Sequence, residues 1–363
     1  MRMLWIRNLE AVTSAASTYV VEAELGSELQ IPGLLSYADG AVLCGPTTVE
    51  PDTTGLYKYV LRLRVPRPAH ETDFPTEPLP QGTRRGYLFR EGPVGELVAL
   101  FSLQLQTRFF VLSTSERGLT HHDLPLKTEF APLRGRIGRQ LDAVVFAHAD
   151  RNLCRDLVPF LDEIRSVSSK YHLEVAIAAN HYARALREIG IDEEMVFVRL
   201  VSAIERAAAE QAIPDDPLSD KSLDELVAVN TLADEQVEEL RKLFQTRRTK
   251  SRFIAFLQEY SAGFFDAEQR EPAHTQVTRE NLTVVAAAVY DARSGYLHNG
   301  DPMYLSRPMA QFPDWHMNPS VGMTWQERSF KAAQKLPRAD FFHRLVRHCL
   351  IAWIRRLIDA KAG

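Results

Sequence analysis

Near residue 150 the apolar residues of this chain change their spacing from two to about 3.6, and that change limits the fold more than any other feature. Before it, Tyr57 to Val65 reads Tyr-Lys-Tyr-Val-Leu-Arg-Leu-Arg-Val. On an extended strand this sets apolar side chains on one face and cations on the other. Gly95 to Thr114 holds Leu97-Val-Ala-Leu-Phe-Ser-Leu-Gln-Leu-Gln and Phe109-Phe-Val-Leu-Ser, which predict two half-buried strands joined near Thr107 and Arg108. Arg67 to Gly86, crowded with Pro68, Pro75, Pro78, Pro80 and Gly82, reads as a long loop. Leu141 to His148 is either a last strand or the link to the helical part of the chain.

From Arg151 onward the period is helical. Leu153, Leu157, Phe160, Leu161 and Ile164 share one stripe, and a second helix runs from Leu173 to Ile189, where Gly190 ends it. Asp192-Glu-Glu suits the N-terminus of a third helix carrying Met195, Phe197, Val198, Leu200, Val201, Ile204 and Glu205. Ile213 to Ser222, with Pro214 and Pro217, reads as a loop. Leu223 to Phe244 and Lys250 to Phe265 predict two further helices separated by the basic turn Gln245 to Lys250. Asn281 to Tyr290 predicts another, Asp301 to Val321 a structured loop, and Pro337 to Ala360 the last helix. The expected architecture is α+β. A β-rich N-terminal module over residues 1–148 precedes an all-α helical-bundle domain over residues 149–363.

Composition narrows the function classes. At 363 residues the chain is too long for one ordinary core. A net charge of -4 argues against a general nucleic-acid coat, yet leaves room for a local basic groove. Cys44, Cys154 and Cys349 are widely separated, odd in number and without zinc-ligand spacing. Neither a cleavable leader nor an apolar run of about 20 residues is present, so the expectation is a cytoplasmic protein with no membrane segment. Phosphate-binding glycine loops, Gly-x-Ser-x-Gly elbows and His-Glu-x-x-His helices are also missing, which excludes P-loop ATPases, α/β-hydrolases and zinc proteases.

The segment that carries chemistry is Tyr290-Asp-Ala-Arg-Ser-Gly-Tyr-Leu-His298-Asn-Gly300. Arg293 offers a permanent guanidinium for a phosphate, and His298 a side chain that titrates near neutrality. Five residues apart on a regular helix they diverge by about 140°. Gly295 between them and Asn299-Gly300 after them predict a helix that frays there and lets the imidazole turn toward the guanidinium. Leu282, Val285 and Val289 would anchor the helix in the core.

Tyr290 three residues before the arginine, Ser294 directly after it, and Asn299-Gly300 directly after the histidine resemble the Arg-x4-His signature of HEPN domains, in particular the Apea-like branch. Phe197 to Glu205 resembles that family's helix ending in an acidic residue. The resemblance covers about residues 150–360 and says nothing of residues 1–148. It implies a metal-independent ribonuclease of a prokaryotic antiviral-defence, abortive-infection or toxin system, with no cofactor. It further implies a homodimer in which two Arg293–His298 sets face one cleft. The chemistry implied is attack by the 2′-hydroxyl, leaving a 2′,3′-cyclic phosphate. His298 moves the proton and Arg293 holds the phosphate. Ser294, Tyr290 and Asn299 support the pair. Glu205 either orients Arg293 or is a solvated helix carboxylate.

Other clusters are weaker. Arg247, Arg248, Lys250 and Arg252 form the densest cationic group and are the expected RNA contacts, although charge runs are commonly solvated turns. The basic face of the last helix, with Arg344, Arg347, Arg355 and Arg356, lines an RNA groove or is simply solvated. His343 and His348 are expected on that polar face. His121-His122-Asp123 reads as a loop rather than a metal site, since adjacent histidines on an extended chain point apart. The overall acidity favours a structured target such as a transfer RNA. The N-terminal module is expected to sense a trigger or bind a regulatory partner. The rival reading is a non-catalytic HEPN module that binds nucleotide or RNA, or mediates assembly.

Overall fold

A computed structural model gives α1 (Leu4–Ser14), β1 (Thr18–Ser27), β2 (Leu35–Tyr37), β3 (Ala41–Cys44), β4 (Tyr57–Pro66), α2 (Gly92–Leu105) and β5 (Phe110–Arg117). Beyond these lie α3 (Leu157–Ser166), α4 (His172–Glu188), α5 (Glu193–Ala207), α6 (Asp234–Tyr260), α7 (Phe264–Ala267), α8 (Leu282–Asn299) and α9 (Ala339–Ala362). The structure describes residues 2–15, 18–28, 35–37, 41–44, 51–53, 55–66, 92–117, 156–213, 227, 234–267, 276–303, 305, 316–317 and 336–362. The expected loops at 67–86 and 214–222, the segment 141–148, His121, His122 and Asp123 lie outside them, as does most of 301–321. The fold is α+β, with an antiparallel sheet near the N-terminus and a helical C-terminal part. Two compact units are present, Met1–Gly190 with Ile354–Gly363, and Ile191–Trp353.

In the first unit the strand order is β2-β3-β4-β1-β5, all neighbours antiparallel. Strand β4 alternates as its sequence predicts. Tyr59, Leu61 and Leu63 are buried, while Arg62 and Arg64 face water. On the wet face Arg62 pairs with Glu22, its cross-strand neighbour, at 2.7 Å, and Lys58 reaches Glu24 at 3.1 Å. Such half-exposed pairs each contribute only about 0.2–1 kcal/mol, and they fix register more than stability.

The expected strand at Leu97 to Gln106 is instead helix α2. Every residue from Val94 to Leu105 is buried, because α1 and α4 pack against this helix and no side of it meets solvent. An apolar run enclosed on all sides carries no wet face, so its pattern cannot separate helix from strand. The second expected strand is present as β5. Arg108, in the turn before it, is buried; it pairs with Glu28 and donates from Nη1 to the Ile189 carbonyl at 3.3 Å. That carbonyl lies at the C-terminus of α4, which Gly190 ends with φ 82°.

Helix α1 docks through Trp5, Ile6 and Leu9, and its first turn is held by a carboxylate of α2. The Trp5 backbone N–H donates to Glu96 Oε2 at 3.0 Å. Burial pushes the Glu96 carboxyl from 4.5 up to about 7, against the opposing pull of the Trp5 and Leu4 N–H groups and of Arg7. Between those two values the folded protein keeps a proton that the unfolded chain has released. Stability therefore falls as pH rises through that window. We predict that Glu96→Gln, which retains an acceptor for Trp5, flattens the decline of the melting temperature between pH 5 and pH 8. A variant as steep as the wild type would place the titration elsewhere.

In the second unit, Asp192 caps α5 by accepting the Met195 N–H at 3.0 Å, as the acidic start of that helix predicts. Phe197 of α5 stacks on Phe342 of α9 with ring centroids 5.2 Å apart. Phe256 of α6 meets Trp353 edge-on at 6.3 Å. The turn expected at Gln245 to Lys250 does not form, and α6 runs unbroken from Asp234 to Tyr260. That stretch holds neither glycine nor proline, and arginine and lysine are good helix formers, so nothing stops the helix there. Two expectations on α9 also change. His343 is fully buried rather than on the polar face, and Arg344 is buried with its Nε donating to the Asp340 carbonyl at 3.0 Å. His348 is half-buried, with Nε2 2.9 Å from the Ala262 carbonyl. No helix among the described residues is long and apolar enough to cross a membrane.

Candidate active site

Helix α8 carries Tyr290, Arg293, Ser294, His298 and Asn299, anchored by buried Leu282, Val285 and Val289 as their spacing predicts. The fraying expected at Gly295 does not occur. The helix continues to Asn299, and Gly300 ends it in the left-handed region with φ 71°. The Gly300 N–H bonds the Tyr296 carbonyl at 3.1 Å and the Asp301 N–H bonds the Gly295 carbonyl at 3.3 Å. This is the pattern in which a glycine terminus satisfies the last free carbonyls. An unbroken helix leaves Arg293 and His298 about 140° apart on its surface.

Arg293 is the better fixed of the two. Its Nη2 donates to Glu205 Oε2 of α5 at 2.9 Å, with both side chains less than one-fifth exposed. Tyr290, one turn earlier, hydrogen-bonds the same carboxylate. Burial raises the Glu205 carboxyl above its ordinary value, opposed by the Arg293 charge and the Tyr290 hydroxyl. The Tyr290 hydroxyl is pushed up to about 12, first by burial and then by the Glu205 charge. It therefore remains a donor at neutral pH. Of the two readings of Glu205, the geometry places it on Arg293. The guanidinium is not exhausted by this contact, since its Nε is buried with no hydrogen-bond partner among the described residues.

His298 stands exposed at the far end of the helix, beside Leu297, which is 46% exposed. Ser294 is half-buried. Asn299 donates from Nδ2 to Asp301 Oδ2 at 3.2 Å.

The cationic group belongs to α6, which runs beside α8 at this level. Lys250 Nζ lies 2.6 Å from Asp291, and Phe253 packs on Tyr290 with ring centroids 5.5 Å apart. Arg247 is exposed, and Arg248 and Arg252 are half-buried. The Nε of Arg252 is buried without a hydrogen-bond partner among the described residues. Arg293, Glu205 and Tyr290 thus converge, while Lys250 is engaged by Asp291. His298 lies a turn and a half further on. Sequence reasoning misses Asp301, whose only signal is its place directly after Asn-Gly.

Among the described residues no group of three His, Cys, Asp or Glu side chains is arranged to hold a metal. Cys349 is free and buried, and burial pushes its thiol well above the ordinary range. Such a thiol is inert. Compared with known proteins, the chain matches no protein-family model, no curated protein and no solved structure.

Proposed function

We propose that the second unit is a metal-independent endoribonuclease of a defence or toxin system, acting in the cytoplasm as a homodimer. What carries this reading is one juxtaposition on α8. A half-buried guanidinium, held by Glu205 and retaining a buried N–H with no partner among the described residues, precedes an exposed imidazole at the end of the same helix, beside the cations of α6. Arg293 binds a non-bridging phosphate oxygen and stabilises the charge that develops on it. His298 takes the 2′-hydroxyl proton or protonates the leaving 5′-oxygen. The phosphate closes on the 2′-oxygen as the 5′-oxygen leaves, giving a 2′,3′-cyclic phosphate and a 5′-hydroxyl. Because about 140° separates the two side chains on one helix, a second copy supplies the partner group across a shared cleft. Arg247, Arg248, Lys250 and Arg252 hold neighbouring phosphates of a structured RNA such as a transfer RNA. The N-terminal sheet unit receives the trigger or a regulatory partner.

Purified protein incubated with total RNA in EDTA should release fragments with cyclic phosphate ends. Fragments with 3′-hydroxyl ends, or cleavage that needs added metal, would overturn the mechanism. The same 140° separation also favours a second reading, a module that binds RNA or nucleotide without cutting it. On that reading RNA binds, no fragments appear, and Arg293→Ala loses affinity while His298→Ala loses none.

A further inference from the structure

We propose that Asp301 is a positioning residue for His298, its carboxylate accepting the imidazole N–H and leaving the second ring nitrogen to exchange a proton with RNA. The catalytic half of this inference rests on the RNA-cleaving reading; the contact itself does not.

Asp301 is fixed through the backbone on its N-terminal side. Gly300, with φ 71°, turns the chain back over the last turn of α8, and the Asp301 N–H is tied to the Gly295 carbonyl at 3.3 Å. Its carboxylate then lies directly over Gly295. A Cβ added there would come within 3.3 Å of Asp301 Oδ2 and 3.6 Å of Asp301 Cβ. Glycine leaves this space without displacing the carboxylate, which a Cβ would crowd by a few tenths of an ångström.

His298 and Asn299 follow Gly295 by three and four residues, so they flank it at about 60° and 40° around the axis. Helical side chains lean toward the N-terminus and cover the turn before their own Cα. Both therefore lean over the position that Asp301 occupies. Asn299 already donates to Oδ2 at 3.2 Å, and His298 is exposed on the other flank of Gly295.

Stability alone does not explain an acid here. A carboxylate at a helix C-terminus faces the negative end of the helix dipole and is disfavoured there. Locally unfavourable choices of this kind gather at sites where chemistry benefits. The benefit here is tautomer control. An imidazole whose one N–H is held by a carboxylate keeps the other nitrogen free as a base, and the carboxylate steadies the imidazolium that forms.

The test uses full-length protein labelled with ¹⁵N-histidine, as wild type, Asp301→Asn and Gly295→Ala, with His298→Ala to assign the signal. In Asp301→Asn the backbone bond to Gly295 and an acceptor for Asn299 are both kept, so the cap survives. The expected result is a His298 ring spectrum with one nitrogen mainly protonated in the wild type, relaxing toward a solvent-like tautomer mixture in both variants. RNA turnover should fall by at least about tenfold in kcat for Asp301→Asn, and by up to about 10⁴-fold where the wrong tautomer is left, with KM and melting temperature unchanged. Unchanged ring shifts in both variants would overturn the proposal even if the wild type cleaves RNA. Altered ring shifts with a silent wild type would support the Asp301–His298 contact and remove the cleaving reading instead. A loss of melting temperature alone, with ring shifts and kcat intact, would make Asp301 a helix cap only.

Discussion

Replacing His298 by alanine should lower RNA turnover by about 10²–10⁴-fold, the range in which a general acid or base contributes. The fold should not notice the change. His298 is exposed in the last turn of α8, and surface substitutions away from caps and cores stay within about 0.5 kcal/mol. The comparison is made in EDTA, on the same RNA and at the same protein concentration, with binding measured alongside cleavage. Retained affinity with lost turnover assigns the proton transfer to this imidazole. Turnover within a factor of about three of wild type would leave His298 without a role, since an acid–base group is worth far more than that. Arg293→Lys should lose turnover as well. A point charge cannot keep the Glu205 bond and still present a planar fork to phosphate.

The largest effect on stability should come from Phe197→Ala. Phe197 is fully buried on α5 and stacked against Phe342 of α9. Removing the ring costs the transfer of its surface to water, together with the cavity left between two helices that cannot close on it. That is about 3–5 kcal/mol, and a drop of roughly 6–20 °C in the melting of a unit this size. Denaturant titration of the full chain with Trp5, Trp315 and Trp325 replaced by phenylalanine, followed by the fluorescence of Trp353, reports the second unit, where Trp353 meets Phe256. A shift below about 1 kcal/mol would mean that α5 and α9 do not form one core.

Where one side of an element is wet, the sequence is legible. β4 alternates because Arg62 and Arg64 face water, and α5 announces itself through Asp192 at its cap. α2 is illegible for the opposite reason, since burial on every side erases the polar positions that give a period its phase. The basic stretch of α6 reads as a turn only on its charge, and charge does not end a helix. Gly295 misleads because one glycine costs a helix only about 1 kcal/mol, and α8 runs through it to Asn299. His343 misleads as well, since a histidine at the boundary of an apolar stripe packs inward when its neighbours do, here to complete burial. Within the candidate site, the residue types are readable from spacing and resemblance. The relation of Asp301 to His298 is not, because it depends on a left-handed residue turning the chain back on itself.

The first unit is discontinuous, joining residues up to Gly190 with Ile354–Gly363. A ribosome releases the chain in order, at about 5–20 residues per second, so the sheet and its helices emerge well before the segment that completes them. For roughly 10–30 s at that rate, while residues 191–353 are made, Glu163 lacks its partner Arg355 and the unit stays unfinished. The second unit also waits for α9, which brings Phe342 and Trp353 to its core. The two units thus share one late event in synthesis, the emergence of α9. A nascent chain paused before α9 should present both units to chaperones and proteases, because that one helix carries residues of each.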